Sequence, residues 1–135
     1  MPLEEKLNAW SHGVGVGLGI IALVLLILGV DTGNPWGLFS VIIYGLSITL
    51  LFLASTCYHA VKESKRKHYF RIADHISIYL LIAGTYTPVL LIAIPNGLGW
   101  TLFWVVWGIA AFGLLLKLFF TGRFERFSTF LYLAM

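Results

Sequence analysis

A single cysteine, Cys57, among 135 residues excludes an intrachain disulfide framework, so the fold has to rest on packing. Charge is equally scarce. Only 11% of residues are Asp, Glu, Lys or Arg, against 59% hydrophobic, and mean hydropathy is +0.91. A soluble domain of 15.1 kDa keeps too much of its chain at the surface to hide that balance from water, so the expected solvent is lipid. The net charge of +3 and pI near 9.2 do not point to nucleic acid. The cations sit in short segments between apolar runs and leave no basic face for a phosphate backbone. A cleaved leader is also not expected: residues 1–6 lean acidic, and the first apolar run is too long and is followed by others.

What remains is four charge-free stretches, at 7–30, 32–61, 76–116 and 127–135, the third divided by Pro95-Asn96-Gly97. About 20 helical residues cross a hydrocarbon core of roughly 30 Å. Lipid forces an isolated segment to satisfy its own backbone groups, so helices are required. Helices are therefore predicted near 9–30, 36–60, 72–94 and 99–120. The fold class is all-α, a polytopic transmembrane helical bundle of four full spans, with residues 127–135 starting a fifth. Residues 1–135 read as one transmembrane domain without repeat or linker, cut short at its carboxyl end. The connectors 31–35 and 94–98 carry Asp, Asn, Gly and Pro, the residues of tight reversals.

All nine cations fall on one side of this arrangement. Lys6 precedes the first span, Lys62, Lys65, Arg66, Lys67 and Arg71 lie between the second and third, and Lys117, Arg123 and Arg126 follow the fourth. The positive-inside rule makes that side cytoplasmic, with the amino terminus inside a plasma or inner membrane. Trp36, Trp100 and Trp104 gather at the opposite ends, where amphipathic rings favour the interface.

Polar residues at the span edges are the candidates for function. Ser55 and His59 are four apart on the second helix and share a face, with Tyr58 beside them. Asp74 opens the third span on the same side, and His12 lies near the start of the first. Three helices thus bring His12, Ser55, His59 and Asp74 to one membrane depth, where ionisable groups are costly unless they find partners or water. Each also has a structural reading. Asp74 is three residues from Arg71 and can pair with it, and His12 can be an interfacial residue or a partner of another helix. His68 belongs to the basic segment, His75 points about 100° away from Asp74, and Cys57 is a small packing residue. Gly13, Gly15, Gly17 and Gly19 form two overlapping small-xxx-small pairs, a sign of close helix contact. No strand precedes them, so they do not form a nucleotide loop. Thr85, Thr87 and Pro88 mark a kink whose freed carbonyl the threonines can help satisfy.

These residues carry a family resemblance. Asn8-x3-His12 with Glu4-Glu5 upstream, Ser55-Thr-Cys-Tyr-His59, Arg71-Ile-Ala-Asp-His75-Ile and the run from Tyr79 to Pro88 through Ala-Gly-Thr-Tyr-Thr resemble the haemolysin III proteins, relatives of the progestin and adipoQ receptors. The likeness covers essentially the whole chain. It implies a seven-helix fold with its amino terminus inside, in a wider group suspected to be metal-dependent hydrolases. In that group the histidine matching His59 is a zinc ligand, the aspartate matching Asp74 holds or activates the water, and the serine matching Ser55 supports the site. The two remaining ligands come from a His-x3-His on the seventh span, a pair that residues 1–135 do not contain.

The residue types suit that chemistry by themselves. A neutral imidazole binds zinc, a carboxylate orients or deprotonates water, and zinc polarises an amide or ester carbonyl. A hydroxyl one turn from a ligand can support it by hydrogen bonding. Two function classes follow. One is a zinc-dependent membrane hydrolase acting on a lipid amide or ester, with Asp74 and Ser55 catalytic and His59, Asp74 and His12 as candidate metal ligands. The other is a membrane-inserting cytolysin, pore or receptor-like protein without turnover. A pore needs a continuous polar stripe, and the middles of the third and fourth helices offer Ile, Leu, Val, Phe and Trp instead. With one histidine and one carboxylate, residues 1–135 are expected to hold zinc weakly and to be inactive alone.

Overall fold

The structure, a computed structural model, describes residues 2–62, 65–120 and 122–135. Five α-helices follow one another: α1 (Leu3–Gly29), α2 (Gly37–Ala60), α3 (Lys65–Pro88), α4 (Gly97–Phe120) and α5 (Glu125–Ala134). A π-helical turn, Val89–Ala93, extends α3. No strand occurs among the described residues. Four helices, α3 with its π-helical extension among them, are long and apolar enough to cross a membrane. The 10 residues of α5 fall short of the roughly 20 that a crossing takes.

Two boundaries differ from expectation for one physical reason. α1 begins at Leu3 and not near 9, with Glu4 and Glu5 in its first turn, where carboxylates favour the positive end of the helix dipole. α3 begins at Lys65 and not near 72, so most of the basic segment expected to be a connector is helix. Lysine and arginine are good helix formers. Hydropathy marks the part of a helix that sits in lipid, and both helices continue past it into the polar boundary.

Successive helices pack against each other, α1 on α2, α2 on α3 and α3 on α4. The reversals use side-chain acceptors. Asp31 Oδ1 takes the Gly33 N–H at 2.8 Å and Asn34 Oδ1 the Trp36 N–H at 2.8 Å. Asn96 Oδ1 takes the N–H groups of Leu98 at 2.9 Å and Gly99 at 3.3 Å, capping α4. Of the two glycine pairs on α1, one makes the close contact. A Cβ at Gly15 would stand 2.5 Å from the Phe52 ring and one at Gly19 2.9 Å from Thr49 Oγ1, so α1 and α2 can meet only without side chains there. Gly17 faces open space.

At Pro88 the helix loses the N–H that would reach Gly84, and the ladder widens into the π-helical turn, closed by the Ile94 N–H on the Val89 carbonyl at 3.2 Å. The threonine hydroxyls do not go to Gly84. Thr85 bonds the Leu81 carbonyl at 2.7 Å and Thr87 the Ala83 carbonyl at 2.8 Å, and Thr87 Oγ1 also accepts the Trp107 indole N–H at 3.1 Å. The core beside this turn holds Tyr79, Ala83, Val106 and Ala110, and beyond it Leu90, Leu91 and Phe103. Leu18, Leu25, Leu28, Trp104 and Phe119 point outward, a surface matched to lipid.

Candidate functional site

Antiparallel packing gives the bundle an aromatic end and a basic end. At the aromatic end Trp36 and Trp100 meet with ring centroids 4.9 Å apart. At the basic end α1 begins, α2 ends, α3 begins and α4 ends, and polar side chains form two clusters.

The first cluster joins α1, α2 and α3. His59, in the last turn of α2, has Nδ1 2.8 Å from Glu5 Oε2. The other Glu5 oxygen accepts from Lys67 Nζ at 2.9 Å, and Lys67, 8% exposed, lies with Nζ 5.0 Å from the centre of the Tyr58 ring. One turn back from His59, buried Ser55 is joined to His12 Nδ1 at 2.8 Å. The His12 and His59 rings stand edge to face at 5.7 Å. His12 is thus the interhelical partner that one reading expected, and its partner is Ser55.

Asp74 stands apart from these contacts. It is half-buried on α3, its carbonyl accepts the Ser77 hydroxyl at 2.6 Å, and among the described residues its carboxylate has no hydrogen bond or ion pair. Arg71, the expected structural partner, lies instead 3.9 Å from Glu125.

The second cluster fastens α5. Glu125 accepts from Lys117 Nζ at 2.6 Å and from the Gly122 N–H at 3.2 Å. The Lys117 ammonium beside it holds its carboxyl below the usual carboxylate range. His75 Nδ1 is 4.0 Å from Glu125, beyond hydrogen bonding, and has no hydrogen-bond partner among the described residues. The Tyr79 hydroxyl bonds Ser128 Oγ at 2.8 Å, and the Tyr132 hydroxyl reaches the His75 carbonyl at 3.4 Å. His68 is exposed on the outer side of α3, and Cys57 is a half-buried free thiol.

In the sequence Glu5 stands only upstream of a motif, and Lys67 and Lys117 are two of nine cations. The signal for Glu5 was its spacing. Glu5, Asn8 and His12 fall at i, i+3 and i+7, one face of a helix, and that face meets α2 once α1 is extended to Leu3.

A family model described as "Haemolysin-III related" matches residues 2–135. The chain belongs to this family. It is 47% identical over 133 residues to the "Hemolysin-3 homolog" of Bacillus subtilis (strain 168), covering 98% of this chain and 62% of the relative. It is 44% identical over 133 residues to the "Hemolysin-3" of Bacillus cereus, covering 98% and 61%. Human "Monocyte to macrophage differentiation factor" is 28% identical over 137 residues, covering 98% of the chain and 57% of that protein. The chain therefore spans about three fifths of the length of these relatives. No solved structure matches it significantly.

The family implies zinc, and the residues can be tested for it. His59 and Asp74 are donors of suitable type, yet no three His, Cys, Asp or Glu residues converge among the described residues. A catalytic zinc takes three protein ligands.

Proposed function

We propose that this chain carries the amino-terminal share of a zinc-dependent membrane hydrolase acting on a lipid amide or ester. The observation that supports it is Asp74. A carboxylate half-buried in a membrane helix and without a polar partner among the described residues is expensive to keep unless water or a ligand uses it. Its expected partner, Arg71, is turned to Glu125. In this reading Asp74 orients or deprotonates the attacking water, His59 is a metal ligand, Ser55 supports the site, and His12 holds Ser55. Zinc, when bound, would supply the Lewis acidity that polarises the scissile carbonyl. Its remaining ligands would come from the length that the relatives have beyond the matched part. The basic end faces the cytoplasm in this reading, so substrate enters from the inner leaflet.

In a chain carrying that further length, His59→Ala is expected to lose most of one bound zinc, measured by atomic emission. Asp74→Asn should keep the metal and lower turnover by roughly a hundredfold or more, the scale of a lost general base. A cytolysin or receptor without turnover would keep its effect in Asp74→Asn, and that result would sink the hydrolase reading. Orientation is tested separately. Single cysteines at 62, 65 or 66, in a background lacking Cys57, should be shielded from an impermeant thiol reagent added outside, and ones at 32–34 should react. The opposite pattern would move the site to the other face.

A further inference from the structure

Glu5 lies on two turns of α1 that precede its apolar part, and those turns reach over the ends of α2 and α3. α1 and α3 do not otherwise pack against each other among the described residues. One carboxylate bridges them: Oε1 accepts from Lys67 on α3 at 2.9 Å, and Oε2 lies 2.8 Å from His59 Nδ1 on α2. A carboxylate paired with an ammonium is ionised and has no hydrogen to donate, so the proton in the second contact sits on the imidazole. A neutral His59 is then protonated at Nδ1, and its Nε2 carries the lone pair. Side-chain exposures of 18% for His59, 25% for Glu5 and 11% for Lys67 shield this contact partly from bulk water, which strengthens a hydrogen bond to a charged group.

We propose that Glu5 is the positioning residue of His59, fixing the imidazole in the tautomer whose Nε2 is free to take a ligand, with Lys67 holding the carboxylate in place. Histidine ligands are commonly oriented this way, by a carboxylate on the ring nitrogen that does not bind. The inference rests on the reading of His59 as a ligand for its purpose. It does not rest on that reading for its geometry, so the two can fail separately.

The test is nitrogen-15 NMR of the 135-residue chain in lipid nanodiscs, with labelled histidine and His59 assigned by its loss in His59→Gln. The wild-type ring should report the Nδ1–H tautomer at neutral pH. Glu5→Ala should lower the ratio of Nδ1–H to Nε2–H by roughly tenfold or more, the scale of one hydrogen bond to a charged group. Glu5→Gln keeps an acceptor without the charge, and should fall between the two. It also serves if Glu5→Ala loosens α1, which circular dichroism would show. A wild-type His59 protonated at Nε2, or one whose tautomer ignores both Glu5 variants, would overturn the proposal. Zinc retention separates the underlying reading: if His59→Ala in a chain carrying the further length keeps its zinc while the tautomer in the 135-residue chain still follows Glu5, positioning stands and the metal role of His59 falls.

Discussion

Two carboxylates at the basic end are each gripped by a lysine and each lie beside a histidine, but the histidines fare differently. Glu5 has one cation, Lys67, and gives its second oxygen to His59 at 2.8 Å. Glu125 has Lys117 at 2.6 Å and Arg71 at 3.9 Å, and His75 Nδ1 stays at 4.0 Å with no hydrogen bond among the described residues. Both Glu125 oxygens already accept hydrogen bonds, Oε2 from Lys117 and Oε1 from the Gly122 N–H, so an imidazole adds little there. Glu5 gives only Oε1 to Lys67, and its second oxygen holds the His59 ring in a fixed orientation. The same residue types therefore make an oriented donor in one place and a fastening for α5 in the other. Tyr79 and Ser128 complete the second as a closed, dry contact, since Tyr79 is 0% and Ser128 1% exposed.

The comparison breaks most readily at Glu125. Glu125→Ala would leave the Lys117 side chain, 4% exposed, with its ammonium in place and the Glu125 carboxylate gone. Unfolding in detergent micelles should show a loss of about 1–3 kcal/mol, less than for a fully buried pair because Glu125 is 41% exposed. Glu5→Ala should cost less stability and should act on His59 instead. If the two variants destabilise equally, both clusters are fastenings and the contrast fails.

The spans and reversals were legible in the sequence because a lipid solvent leaves so few choices. Runs of about 20 apolar residues had to be helices, and Asp31, Asn34 and Asn96 act as their side-chain chemistry suggests. The site was legible in part. Ser55 and His59 share a face through spacing alone, and His12 reaches them because α1 packs on α2. Glu5, Lys67 and Glu125 were not, because their roles depend on helix ends that run past the apolar stretch and on which neighbour wins a shared cation. Arg71 shows the second difficulty: Asp74 is three residues away on the same helix, yet the guanidinium goes to Glu125, 54 positions on in the chain.

A smaller effect sharpens the difference between the fully buried Tyr79–Ser128 contact and the half-buried His12–Ser55 contact. Tyr79→Phe removes a hydroxyl that bonds Ser128 Oγ at 2.8 Å and the Ser128 carbonyl at 3.2 Å, and Ser128 is too buried to find water. A loss of about 1 kcal/mol is expected. Ser55→Ala removes a hydrogen bond of the same 2.8 Å length at the other cluster. Its cost should be lower, since half-buried His12 can turn to solvent. Chemical unfolding of the two variants side by side checks the order, and a costlier Ser55→Ala would reverse it.

The smallest effect is one of pH, and its sign follows from the Lys117 contact. That contact lowers the Glu125 carboxyl below its ordinary range in the folded chain, so the folded state binds the proton less readily than the unfolded one. Its contribution to stability is fully present above the unfolded value of about 4.3, and is lost as pH falls from there through the lower folded value. Protonated Glu125 no longer neutralises Lys117, so α5 should loosen from α4 in that window while α1 to α4 keep their packing in lipid. Hydrogen exchange along residues 125–134, expressed as protection relative to the unfolded rate at each pH, should fall across it. Glu125→Gln should start with lower protection and show little further change. Protection in α5 that is flat through the window, or that falls as steeply in Glu125→Gln, would mean that Tyr79 and Ser128 hold α5 without help from the ion pair.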